Sequence, residues 1–72
     1  MSVSVSFGDV QRMLDKCAPG YEIRLKTHFR FVYFKGRVFP ALPKYNDIEV
    51  GHIKKMARSL GFLDCAKQFL NI

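Results

Sequence analysis

The chain has no tryptophan, only two cysteines and half as many acids as bases. Its 72 residues carry 6 Asp and Glu against 12 Lys and Arg, a formal charge of +6. The longest unbroken apolar run is Phe31-Val32-Tyr33-Phe34. A membrane-spanning helix needs about 20 such residues, and an export signal needs a longer core than this. Met1 to Ser4 also lacks the basic start of such a signal, so a cytoplasmic location and no membrane association are expected. Cys17 and Cys65 lie far apart with no CxxC motif. They are expected to be small buried hydrophobes in a reducing compartment, forming neither a disulfide framework nor a zinc site. The five glycines form no phosphate-cradling run, and no cofactor or metal is expected.

What is present is enough for one domain. Hydrophobic residues make up 49% and aromatics 14% of the chain, too much for a disordered tail. A chain of this size buries roughly 60% of the surface its unfolded form exposes, a thin but workable core. The basic balance suggests a polyanionic partner, most often nucleic acid.

Met1 to Val5 alternates Val and Ser, as a frayed lead-in or a short edge strand. Ser6 followed by Asp9 is a helix start, with a hydroxyl to cap and an acid in the first turn. Phe7, Val10, Leu14 and Cys17 recur at helical spacing, and Pro19-Gly20 stops the helix. From Tyr21 the period becomes two. Three strands are expected: one from Tyr21, a second over His28–Phe34 with Thr27-His28 as a turn or the strand start, and a third over Arg37–Leu42 after a Lys35-Gly36 turn. Pro40 puts the third at an edge. Asn46 and Glu49 form a second capping-box pattern, leading into a helix with Val50, Ile53, Ala57 and Leu60 on its buried stripe. Gly61 suits its end, and Asp64 starts a short last helix that lays Phe69 or Leu70 on the core.

The expected fold class is therefore α+β, in the order α-β-β-β-α. Its three-stranded antiparallel sheet carries two helices on one face, and a short C-terminal helix follows. Alternation assigns Tyr21, Ile23, Leu25, Phe29, Phe31 and Tyr33 to the covered face. Arg24, Lys26, His28, Arg30, Val32 and Phe34 are assigned to the open one. Between Ile23 and Tyr45 there are six cations, Arg24, Lys26, Arg30, Lys35, Arg37 and Lys44, and no acid.

With this order, a His opening the second strand and Phe39-Pro40-Ala41-Leu42-Pro43 closing the third, the chain resembles the HicA family. These are small toxins of prokaryotic HicA–HicB toxin–antitoxin pairs with a double-stranded-RNA-binding-domain-like fold. Gly20-Tyr21-Glu22-Ile23 is similar to the opening of that family's first strand, and Ile48 to Phe62 follows its second helix. The resemblance covers roughly 6–62 of a single 1–72 domain, with 63–72 as an extension. It implies a metal-independent endoribonuclease that cuts mRNA with one histidine, and a HicB-like antitoxin as partner. The family's Gly-Ser-His motif falls on Lys26-Thr27-His28, which retains only the His.

The chemistry fits those residue types. RNA cleaves itself when its 2′-OH attacks the adjacent phosphate, so a protein need only move protons and stabilise charge. Imidazole is the side chain best suited to that work near neutrality, and cations stabilise the phosphorane. His28 is the expected acid or base, with Lys26 and Arg30 beside it on the strand. Arg24, Lys35, Arg37 and Lys44 are expected phosphate contacts, and Phe34 is expected to stack on a base. His52 lies off the helical stripe and is expected only to meet water. Two other readings stay open: a non-catalytic RNA-binding domain on this scaffold, and a protein-interaction module docking through Val32–Phe34.

Overall fold

The computed structural model describes residues 3–72; Met1 and Ser2, where the lead-in begins, lie outside it. Eight elements follow in order: β1 (Ser4–Ser6), α1 (Phe7–Cys17), β2 (Glu22–Leu25), β3 (Phe29–Phe34), β4 (Arg37–Pro43), β5 (Asp47–Glu49), α2 (Val50–Leu60) and α3 (Leu63–Leu70). The class is α+β. A three-stranded antiparallel sheet has β3 at its centre and β2 and β4 at its edges.

Local chemistry explains most boundaries. The Asp9 amide donates to Ser6 Oγ at 3.2 Å, so Ser6 caps α1 as expected. Lys35 and Gly36 both have positive φ, 49° and 78°, which is the backbone that matches the twist of a two-residue hairpin. Gly61 ends α2 at φ 90°, and a Cβ there would lie 3.3 Å from Arg37 Nη1. Pro40 sits where the β3–β4 register shifts, on an edge strand that needs no donor from it.

The second capping box is a false signal. Asn46–Glu49 does not start a helix: Asp47–Glu49 forms β5, which pairs antiparallel with β1, Val5 opposite Ile48. Ile48 is fully buried between exposed Asp47 and Glu49, so the segment has strand periodicity. Helix α2 begins after it at Val50, with Glu49 at the cap and no side-chain cap bond. In α3, Asp64 lies in the first turn and does not cap; Leu70 reaches the core, while Phe69 stays 44% exposed.

A single core gathers Val10, Met13 and Leu14 of α1, Ile53, Met56, Ala57 and Leu60 of α2, Ala66 of α3, and Val32, Phe34 and Leu42 of the sheet. The face that the helices cover is thus the reverse of the one expected on β3. The cause is the β2–β3 turn. Leu25 pairs with Arg30 and the Lys26 amide donates to the Phe29 carbonyl, leaving only Thr27-His28 as a loop. A two-residue loop pairs odd with even positions, so the face parity switches across it. Ile23 and Val32 face the helices together, whereas Arg24, Phe31 and Tyr33 share the open face.

Cys17 and Cys65 are joined in a disulfide, contrary to the expectation of two free thiols. The fold packs α3 against α1, which sequence distance conceals. The bridge closes a loop of sequence separation 48, and such a cross-link stabilises mainly by restricting the unfolded chain, here by about 2–4 kcal/mol. Adding a reductant is therefore expected to lower the thermal midpoint by about 10 °C or more. A melting curve unchanged by reduction would contradict this.

Candidate nucleic-acid interface

The functional residues predicted from the sequence divide between two ends and two faces of the sheet. His28 is not a strand residue. It occupies the exposed β2–β3 turn and lines an open cleft of about 450 Å³ with Thr27, Phe29, Pro43, Lys44 and Tyr45. The fold therefore brings His28 and Lys44 together, although the whole β3–β4 hairpin lies between them, because β3 and β4 run antiparallel with Phe29 opposite Pro43.

Arg30 is placed differently from expectation. Its Nη1 donates to the carbonyls of Pro43 at 2.8 Å and Tyr45 at 3.1 Å. Its guanidinium also lies 3.6 Å from the centre of the Phe7 ring. Burial lowers its pKa from the ordinary arginine value. Leu42 and Leu25 are its cross-strand neighbours, so it belongs to the helix side of the sheet, with Nη1 committed to these carbonyls. Arg30 fastens the segment that carries Lys44 and Tyr45. It builds the cleft wall in place of the expected direct phosphate contact.

Phe34 also departs from the expected position. It is 8% exposed and meets Phe62 edge-on, centroids 5.9 Å apart, so it is core and offers no face to a base. Val32 is fully buried, which removes Val32–Phe34 as a docking surface. Lys35 sits over the Phe34 ring at 5.2 Å, and Arg37 Nη1 reaches the Ser59 carbonyl at 3.5 Å, near the end of α2 where a cation complements the helix dipole. Both stand at the end of β3 away from His28, about 20 Å along the strand.

Arg24 and Lys26 are on the open face, as expected. Arg24 pairs with Glu22 at 3.3 Å and stands 5.4 Å from the centre of the Tyr33 ring. Lys26 Nζ is 5.7 Å from the centre of the Phe31 ring. The sequence reading missed the row beneath them. Phe29, Phe31 and Tyr33 run along the central strand on the side away from the helices, Phe29 46% exposed and Phe31 and Tyr33 half-buried, and Val38 beside Tyr33 is 44% exposed. Counting Thr27-His28 as a tight turn was the signal that finds this row. Tyr45, 75% exposed, was missed for a simpler reason: nothing in its neighbours marks it.

A hollow of about 490 Å³ at the α2–α3 elbow is slightly larger, lined by Arg58, Gly61, Phe62, Leu63, Asp64 and Cys65. It holds one cation opposed by one acid and no imidazole, so it offers less chemistry than the His28 cleft. His52 is half-buried on α2, outside both. Among the described residues no three His, Cys, Asp or Glu groups gather at metal-binding distance, and no helix is long and apolar enough to cross a membrane. Neither a family model, nor a curated protein, nor a solved structure matches the chain.

Proposed function

We propose that the chain is an RNA-binding, metal-independent endoribonuclease of the HicA-like kind, acting in the cytoplasm on mRNA. The observation that carries this reading is the shared cleft of His28 and Lys44 at the end of a basic sheet face. His28 moves the proton of the attacking 2′-OH or of the leaving 5′ oxygen. Lys44 faces the charge that develops on the phosphate, the role that the sequence suggests for Lys26 and Arg30. Arg24 and Lys26 hold the flanking phosphates. A HicB-like partner with an acidic surface would silence the protein by covering His28. In a reducing cytoplasm Cys17 and Cys65 would stand side by side as thiols.

A second reading, RNA binding without cleavage, is favoured by Arg30. Its commitment to Pro43 and Tyr45 leaves His28 with fewer cations than the sequence suggested. Both readings require phosphate contacts, and salt tests them. With Arg24, Lys26 and Lys44 each neutralising a phosphate, affinity for a single strand is expected to fall about 20-fold between about 50 and 200 mM salt. Fluorescence anisotropy of a labelled oligoribonucleotide measures this. No binding at low salt would overturn both readings.

A further inference from the structure

We infer that the open face of the sheet is a stacking platform for the unpaired bases of RNA, with Phe29, Phe31 and Tyr33 as successive stacking positions. The inference rests on the RNA-binding reading above and adds what form of RNA is bound and where. Three observations support it. The rings lie on alternate positions of one strand and face away from the helices. Arg24 and Lys26 stand over two of them, so among the described residues this row carries two cations against one acid, Glu22. And Phe29, at the end of the row, also lines the His28 cleft.

The spacing selects the ligand. Alternate residues on a strand are about 6.8 Å apart, twice the roughly 3.4 Å between neighbouring bases in a stacked nucleic-acid strand. A duplex cannot lay consecutive bases on these rings. An unpaired strand with splayed bases can, one base to a ring. Such a strand runs along β3, and Arg24 and Lys26, which lie over the Tyr33 and Phe31 rings in the free protein, turn aside to its phosphates as the bases take the ring faces. The nucleotide on Phe29 then presents its phosphate at the cleft of His28 and Lys44. The row therefore positions the strand for cleavage as well as holding it, and a base-paired substrate is refused by geometry.

The test uses the full chain and a fluorescent 2′-O-methyl oligouridylate, which lacks the attacking hydroxyl and so stays intact. The same strand annealed to oligoadenylate is the duplex probe. Phe31→Leu keeps an apolar side chain of similar bulk without an aromatic face, and Phe31→Tyr keeps the face. The expected result is tight binding of the unpaired probe by wild type and Phe31→Tyr, and at least tenfold weaker binding of the duplex. Phe31→Leu is expected to lose about fivefold to a hundredfold while melting at the wild-type temperature. Unpaired RNA bound equally by wild type and Phe31→Leu would overturn the platform and leave the RNA-binding reading standing. Equal binding of duplex would do the same. Wild type binding neither probe would overturn both. A concentration-dependent mass that Phe31→Leu abolishes, with RNA affinity unchanged, would assign the face to protein contact instead.

Discussion

Ile53→Asp is expected to leave the chain unfolded at 25 °C. Ile53 is fully buried in α2 and belongs to the single core, so the substitution removes an apolar burial of about 1.5–3 kcal/mol. It then asks an unpaired carboxylate to sit in a place with no hydrogen-bonding partner, a further cost of several kcal/mol. A domain of 72 residues has a total stability of only about 4–11 kcal/mol, and the combined loss is of that size. Circular dichroism with a thermal melt reads the outcome. A cooperative melt at the wild-type temperature would show that Ile53 does not anchor α2.

His28→Ala is expected to do the opposite, leaving the fold and removing the reaction. The side chain is exposed in a two-residue turn and is not counted in the core, and surface changes of this kind usually alter stability by less than about 0.5 kcal/mol. Positioned proton transfer is worth about 10²–10⁴ in rate. The variant should therefore bind RNA as wild type does and cut it at least a hundredfold more slowly. Lys44→Ala should weaken both, because that cation meets the phosphate in the bound and the reacting strand alike. Wild-type cutting rates in His28→Ala would exclude the imidazole from the chemistry.

Which parts of this architecture the sequence discloses depends on how local their causes are. Ser6, the Phe7–Val10–Leu14 spacing, the Lys35-Gly36 turn and Gly61 each act within a few residues, and each element they mark forms where expected. The β1–β5 pair joins segments separated by the first helix and the whole three-stranded sheet, and Asn46 with Glu49 imitates a helix cap in the meantime. β3 reads Phe-Arg-Phe-Val-Tyr-Phe, apolar on both faces, so alternation cannot say which set is inside. Only the length of the preceding turn decides it. That one ambiguity moved Phe34 into the core and brought Phe29, Phe31 and Tyr33 out.

The candidate site was legible to a similar extent. His28 and its basic surroundings stand out because no acid is interleaved with them. Lys44 as the partner of His28 depends on the return of β4, and the clamp by Arg30 depends on carbonyls beyond it. Two cysteines separated by most of the chain carry no sign that they meet. Their bridge follows from the docking of α3 on α1, a product of the whole core.

The most direct test of the account is strand scission in the presence of a metal chelator, with an unpaired RNA oligonucleotide and the DNA of the same sequence followed side by side. Attack by a 2′-OH, assisted by His28 and Lys44, predicts that wild type cuts the RNA, leaves a 2′,3′-cyclic phosphate end, and spares the DNA. The His28→Ala variant, equally pure, should spare the DNA and cut the RNA at least a hundredfold more slowly. RNA that stays intact under conditions where it is bound would contradict the catalytic reading, and equal cutting of RNA and DNA would contradict the mechanism.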